Sequence, residues 1–493
     1  MKTTRLLLLI GPLLGIILAG PLLPQILSGG DQLEPSSAHP ALRPAARPPC
    51  QPCIHAHEQF LASDALRGRG SATHDEQVAA LYIASQLQQY GVEPAAGDGG
   101  YLQQIPLSRK KLTVSPTLTF TPPSAVATPQ TITWTYGKDF LADDLDYTGF
   151  TGPLQKIASS EANPTVKPGA VVLIAGKNDA ENQRAAISLA SKGAAAELLP
   201  APAGAREKFA EAIPERPEFP LRLEGDSSDS PPQEPHILQL SDAAFHTLAS
   251  VPDGSALRFS APVAGEDTYT WNAVGILHGR DPLLRHSAIL LSAHLDHLGI
   301  GVPVHGDNIY NGADDDASGV TAVLELARVL GKGPPPRRTV IFALFGSEEI
   351  GGLGSTYFLK HSPVPLTEIA ANLEFEMIGR ADPRVPGDTL WLTGWNRSDL
   401  GPTLAAHGAH LVADPHPEQN FFARSDNYIF AKKGVVAQTV SSYGLHHDYH
   451  QPSDDLAHLD FQHLAAAIGS LVAPVEWLAN SDFTPEWKNG GKP

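Results

Sequence analysis

Three observations predict an α/β fold in which helices cover both faces of a mixed sheet. Strand and helix patterns alternate from Asn272 onward. The run Thr339-Val-Ile-Phe-Ala-Leu-Phe345 is continuously apolar, as a central strand buried on both faces must be. Clusters of ionisable residues fall just past the ends of such runs, where open α/β sheets place their ligands. A chain of 493 residues has room for two or three domains.

The elements follow in chain order. Lys2 and Arg5 precede an apolar run from Leu6 to Leu27, the pattern of an export signal. The run is long enough to cross a bilayer, although Pro12, Pro21 and Pro24 make it a poor helix. Residues 1–30 are therefore expected to be a signal peptide or a membrane anchor, and the protein to be periplasmic or extracellular. Residues 31–54 form a Pro-rich linker. It holds the chain's two cysteines, Cys50 and Cys53, which read as a local disulfide made in an oxidising compartment.

Residues 55–105 and 263–480 read as one domain, and 481–493 as a tail. A helix is expected from Thr73 to Tyr90, with Val78, Leu81, Tyr82, Ala84 and Leu87 on its apolar face and Gly91 ending it. Residues 106–262 have a different texture, rich in Pro, Thr and Ser with short strands, and read as a β-rich insert. Its clearest elements are Leu118-Thr-Phe-Thr, Thr131-Ile-Thr-Trp-Thr, the buried strand Val171-Val-Leu-Ile-Ala and a helical run from Arg184 to Lys192. Beyond it, Ala288-Ile-Leu-Leu-Ser runs as a strand into His294. Ala317 to Leu330 is a helix stopped by Gly331 and Pro334.

The net charge of −18 argues against nucleic acid, whose phosphates need a basic face. An acidic field mildly favours cationic substrates, such as peptides with a free amino terminus.

Five segments carry metal-binding side chains: Ser-Ala-His294-Leu-Asp296-His297, Gly312-Ala-Asp314-Asp315-Asp316-Ala-Ser318-Gly319, Gly346-Ser-Glu348-Glu349, Leu373-Glu374-Phe-Glu376-Met377 and Asp448-Tyr-His450-Gln-Pro-Ser-Asp454. Two histidines with several carboxylates suit two divalent ions, and one spare carboxylate beside a ligand suits a general base. That points to metal-assisted hydrolysis of an amide bond. A lone His294 at a strand end is more often structural than a ligand. Asp296, two residues on, is placed to take the other ring N–H, as carboxylates behind metal-bound imidazoles do. One Asp at a helix start is an ordinary cap, but three in a row exceed what capping needs and repel one another without cations. The middle one, Asp315, is the expected bridge and Asp316 the expected cap, although spacing does not single out one of the three. Glu348 and Glu349 follow a buried strand, so one can bind metal while the other accepts a proton from water. Glu376 shares a strand face with Glu374 and needs a partner for its charge. Between His447 and His450 spacing does not decide.

In combination, Gly-Ala-Asp-Asp-Asp-Ala-Ser-Gly, Ser-Glu-Glu-Ile-Gly-Gly-Leu-Gly-Ser and Tyr-His-Gln-Pro-Ser-Asp resemble the co-catalytic zinc aminopeptidase family. That family includes leucyl aminopeptidases and glutamate carboxypeptidase-like members and, more distantly, glutaminyl cyclases. The likeness spans roughly residues 55–105 and 265–480, and Leu61 to Gly70 is typical of exported bacterial members. The resemblance implies two zinc ions, one on His294 and Glu376 and the other on Glu349 and His450. Asp315 would bridge them, Glu348 would be the general base, and the Asp315–Asp316 peptide would be cis. It implies peptide substrates and an exopeptidase acting from the amino terminus. Alternatives are a carboxypeptidase, a one-zinc glutaminyl cyclase and a non-enzymatic binding ectodomain. Residues 106–262 resemble a protease-associated domain, most clearly around Lys167 to Ile174 and Lys192 to Ala196. Two positions depart from the family pattern: Glu376 stands where many members have Asp, and Asn427 where many have His. Tyr443 and Asp426 are candidates for the oxyanion or the pocket wall, with Tyr428 beside them.

Overall fold

The computed structural model describes residues 48–121, 131–142, 149–161, 163–176, 178–202, 219–225 and 236–493. All lie in one compact unit, Ala46–Pro493. The expected signal or anchor and most of the linker fall outside the described residues. Among the described residues no helix is long and apolar enough to cross a membrane. Cys50 and Cys53 are disulfide-bonded, as expected.

A ten-stranded mixed sheet organises the molecule. Its four central neighbours, Val436–Ser441, Ile369–Phe375, Ala288–His294 and Val340–Phe345, run parallel. Val263–Leu277 and Leu390–Leu392 flank them in antiparallel fashion. Alternation explains why Val340–Phe345 reads as an unbroken apolar run. Ile289, Leu291, Val340, Phe342 and Leu344 pack in one core beneath the helices Gln51–Leu61, His74–Gln89, Gly319–Gly331 and Phe461–Asn480. Their neighbours Leu290, Ile341, Ala343 and Phe345 pack in the opposite core with Phe358 and Phe430. Both faces of these strands are covered, and the polar side chains they carry, such as Ser292, Asn372, Glu374 and Gln438, are buried with the rest.

Two helices differ from expectation. The helix His74–Gln89 buries Ala79, Ala80, Ile83, Ala84 and Leu87, whereas Leu81 is 50 % exposed. The stripe is rotated because the inward face uses alanines against the Val263–Leu277 strand, which bulk alone does not signal. In the insert the helix runs Asp179–Ala190 rather than starting near Arg184. The Asn178 side chain accepts the Glu181 N–H at 2.9 Å and starts the helix a turn and a half earlier.

Residues 117–260 build a second, eight-stranded sheet. A ribbon links the two sheets: Leu102–Leu112 pairs with Val263–Leu277 from Leu102↔Ala273 to Leu112↔Val263. Position 106 falls inside this ribbon, because the pairing continues well past it. Arg222–Leu223 also returns to the first sheet, pairing with Ser108 and Leu107.

Candidate metal centre

Each of the five segments reaches the same place by leaving a strand end. His294 closes its strand. Its Nδ1 lies 3.1 Å from the Asp296 main-chain oxygen, which can only accept, so Nδ1 carries the proton. The lone pair of Nε2 then faces Asp315 Oδ1 at 3.1 Å. Two acceptors in that contact need a cation or a proton between them. Ligand atoms on a tetrahedral zinc with bonds of about 2.0–2.1 Å lie roughly 3.3 Å apart, so the spacing fits a shared ion.

The Asp triplet is held from several sides. Asp454 accepts the N–H groups of Asp314 and Asp315, at 2.9 and 3.0 Å. The peptide bond Asp315–Asp316 is cis, as the resemblance implies. Asp316 accepts the Gly319 N–H at 3.0 Å and so caps the following helix, and it also takes the Met377 N–H at 3.1 Å. Gly312 precedes the triplet at φ +60°, and a Cβ there would sit 2.2 Å from Asp315 O and 2.5 Å from the His297 ring. No other residue fits.

Ser347, Met377 and His450 all have φ between 52° and 57°. Left-handed backbone costs a non-glycine residue about 1–2 kcal/mol. Its presence in three of the five segments shows that the surrounding structure fixes the direction of the neighbouring side chains. The ligand atoms of His294, Asp315 and Glu376 lie within 4.8 Å of one another, as do those of His297, Asp315 and Glu349. His450 Nε2 is 3.2 Å from Glu349 Oε2 and 3.3 Å from Asp315 Oδ2. His447, the rival in sequence, has a side chain 93 % exposed. Asp315 therefore stands between two clusters.

The electrostatics are those of a site built around positive charge. Burial raises Glu348 well above the usual carboxylate range, and Asp426, Glu376 and Glu349 add to it. Burial likewise holds Glu376 near 7. Burial works against ionisation of Glu349, as does Asp315, but His297 and His450 outweigh both and bring it down to about 2. Burial opposes the charged form of His450, yet Asp315 and Glu349 push it up to about 10. Carboxylates Asp315, Glu348, Glu349 and Glu376 crowd one pocket. Such packing is costly unless cations neutralise it, and the donor set, imidazole with carboxylate, suits zinc.

Some sequence readings change. The Asp296 carboxylate lies 3.8 Å from His294 Nδ1, too far to hold it; the main-chain oxygen does that work. The carboxylate instead accepts the N–H groups of Glu348 and Glu349, at 3.0 and 3.4 Å, and the Ser71 hydroxyl at 2.5 Å. It therefore positions the Glu348–Glu349 turn. Asp426 is 3 % exposed, takes the Ser355 hydroxyl and stands at the head of the helix Asn427–Lys433; its charge reaches Glu348 and His294. Tyr428 packs against Phe422 away from the pocket. Asn427 gives its side-chain N–H groups to the carbonyls of Phe422 and Ala437. Tyr443 does line the pocket.

Three contributors went unassigned from sequence. His297 is fully buried, with Nδ1 2.7 Å from Glu349 Oε1. Its place directly after Asp296 was the available signal. Asp454 holds the triplet, and only the chain's return could reveal that. The buried Arg69 donates to the carbonyls of Leu295, Asn311 and Gly312, at 3.0, 2.6 and 2.9 Å, joining the His294 and Asp315 segments.

Residues 272–475 match the family profile described as Peptidase family M28, and that span contains all the expected ligands. An aminopeptidase of Pseudomonas aeruginosa is 33 % identical over 124 residues, covering 25 % of this chain and 21 % of that protein. The alignment thus spans about a fifth of the relative's length. In fold, the chain is similar to an aminopeptidase from Aneurinibacillus sp. strain AM-1, with TM-score 0.54 and 19 % identity over 88 % of this chain and 95 % of that one. It is also similar to BSAP, a zinc aminopeptidase from Bacillus subtilis, with TM-score 0.51 and 18 % identity over 89 % and 97 %. The mixed α/β architecture is that of these enzymes, and the resemblance read from the motifs holds.

Proposed function

We propose that the protein is a zinc-dependent aminopeptidase that removes amino-terminal residues from peptides with two metal ions. One observation carries the reading: Asp315 lies between two groups of ligands, with the free carboxylate of Glu348 in the same pocket. His294, Asp315 and Glu376 would hold one zinc. Asp315, Glu349 and His450 would hold the other, with His297 beside Glu349. When bound, the ions supply Lewis acidity to the scissile carbonyl and to the attacking water.

The chain's own residues do the rest. Glu348 takes the proton from the attacking water and hands it to the leaving amine. Asp296 keeps Glu348 in place through its backbone N–H. The Tyr443 hydroxyl is the donor available to the developing oxyanion. The substrate's amino group, as a cation, is drawn to the acidic side chains of the pocket. Most of the relatives' names, aminopeptidases of Pseudomonas aeruginosa and Bacillus subtilis among them, support this end of the peptide, while one relative is named a probable glutamate carboxypeptidase. Export is read from Lys2, Arg5 and the apolar run that follows. Protein recovered outside the cytoplasm with an amino terminus near residue 30 would support cleavage, and retention in membranes an anchor.

The test compares a free-amino peptide with its amino-acetylated twin, with and without chelator and zinc. Loss of residues from the free peptide alone, stopped by chelator and restored by zinc, is the expected result. Trimming of the acetylated peptide from its carboxyl end would make it a carboxypeptidase. No cleavage by zinc-loaded protein would favour a cyclase, and failure to bind zinc a binding ectodomain.

A further inference from the structure

A pocket of about 50 Å³ lies beside the ligands and opens to solvent. Away from the metal side its wall is aromatic and hydroxylic: Trp391, Thr393, Phe421, Thr439, Ser441 and Tyr443. Among the lining residues Arg424 is the sole arginine or lysine. Its guanidinium lies over the Phe421 ring, 5.1 Å from the centroid, and its backbone N–H is tied to Phe421 O at 3.1 Å. Stacking leaves the donor edge of a guanidinium free to bond in its own plane. No described carboxylate forms an ion pair with it.

Other described arginines, Arg258, Arg285 and Arg397 among them, also lack an ion pair with a described carboxylate; Arg424 differs in lining the pocket. Of the nearby arginines, Arg380 bonds Asp448 at 2.6 Å and Arg384 bonds Glu418 at 3.4 Å, whereas Arg397 lies over the Phe422 ring and bonds only the Gly491 carbonyl. Arg424 lies between the short helix Phe421–Ala423 and the helix Asn427–Lys433. Its positive charge reaches Tyr443 and Tyr449, whose hydroxyls border the same space. Arg424 is exposed at the pocket wall, and a guanidinium lying over a ring there matches a planar carboxylate in geometry and in charge.

Resting on the aminopeptidase reading, we infer that Arg424 selects substrates carrying a carboxylate close to the scissile bond. Two sources have that chemistry: an acidic side chain on the amino-terminal residue, and the free carboxyl terminus of a dipeptide. A charge-assisted hydrogen bond of this kind corresponds to roughly 10- to 100-fold in kcat/KM.

Two substrate pairs separate the sources, measured on zinc-loaded enzyme. Glu-Ala-Ala-amide against Gln-Ala-Ala-amide tests the side chain. Leu-Gly against Leu-Gly-amide tests the terminus. In one pair the acid form should be preferred by about 10- to 100-fold. That ratio should collapse to within about threefold in both Arg424→Ala and Arg424→Gln, and be partly kept in Arg424→Lys. Two substitutions of different size guard against a change in folding, which would not move a ratio. An acid-to-neutral ratio near one in both pairs, or one unchanged in the variants, overturns the inference while cleavage of the neutral peptides leaves the aminopeptidase reading standing. Absence of cleavage of every free-amino peptide overturns both.

Discussion

Both sheets contain four neighbouring parallel strands with helices between them, yet their strand ends differ. In the first, the strands of His294, Phe345 and Phe375 pass directly into His294, Glu348–Glu349 and Glu376. In the second, Gly149–Ala158, Val171–Ala175, Ala196–Pro200 and Ile237–Leu240 pass into Ser159, Gly176, Ala201 and Ser241. The same local architecture supplies buried strand ends in each case. Chemistry arises only where the residues just past those ends can hold charge. The buried carboxylates differ in the same way. Those of the first sheet crowd together opposite imidazoles, whereas Glu197 of the second lies within its strand and is pushed up to about 7 by burial.

The largest effect should come from metal removal. Chelation should bring hydrolysis below detection and lower the melting temperature, since a ligand present at about 1,000 times its Kd contributes about 4 kcal/mol. Hydrogen exchange should quicken around residues 294–316, 345–349, 373–377 and 446–454 while the strands between 149 and 260 stay protected. Equal loosening of the second sheet would break the comparison.

Glu348→Gln keeps the shape of the side chain and removes its basicity. We expect kcat to fall by about 10²- to 10⁴-fold with zinc content unchanged, measured by metal analysis on the same sample. A variant that lost zinc in step with activity would make Glu348 a ligand instead.

Asp296→Asn should act one step further out, by loosening the Glu348–Glu349 turn. Zinc affinity, read by chelator competition, should weaken by about 10- to 100-fold. Unchanged affinity would mean that the turn holds without it.

The smallest effect belongs to the second sheet. Burial raises Glu197 from 4.5 to about 7, so the folded chain keeps this proton longer than the unfolded chain. Its contribution is fully present below about 4.5 and is lost as pH rises through about 7. Glu197→Gln should therefore melt close to wild type at acid pH and above it at alkaline pH, by roughly 2–4 °C. A constant difference across pH would locate the proton elsewhere.

The strand Val340–Phe345 was legible because burial on both faces leaves an unbroken apolar signature, whereas Val436–Ser441, equally buried, carries Gln438 and Thr439 and gave no such signal. The ligands were legible through short motifs in which several charged residues stand at strand ends. What escaped depends on how distant segments meet. Leu81 carries an apolar side chain at helical spacing, but alanines decide which face turns inward. Asp296 was correctly drawn into the site, while its acceptor atoms serve the 348–349 turn rather than His294. Asp426 bonds Ser355 while its charge reaches Glu348, a pairing that no local pattern records. The return of Arg69 to Asn311 and Gly312 spans more than two hundred residues, and no local pattern records it.

Asp454 has a bearing on how the site comes into being. Its two oxygens clamp the backbone of Asp314 and Asp315, 140 and 139 positions earlier. A polypeptide emerging from the ribosome or crossing a membrane amino end first presents the triplet long before its clamp arrives. Until residue 454 has cleared the exit, Asp315 has no fixed direction and His450 is absent. The nascent chain therefore stays without a competent centre through most of its synthesis. A protein with the proposed hydrolytic activity, so arranged, would not process its neighbours, or itself, until it is nearly complete.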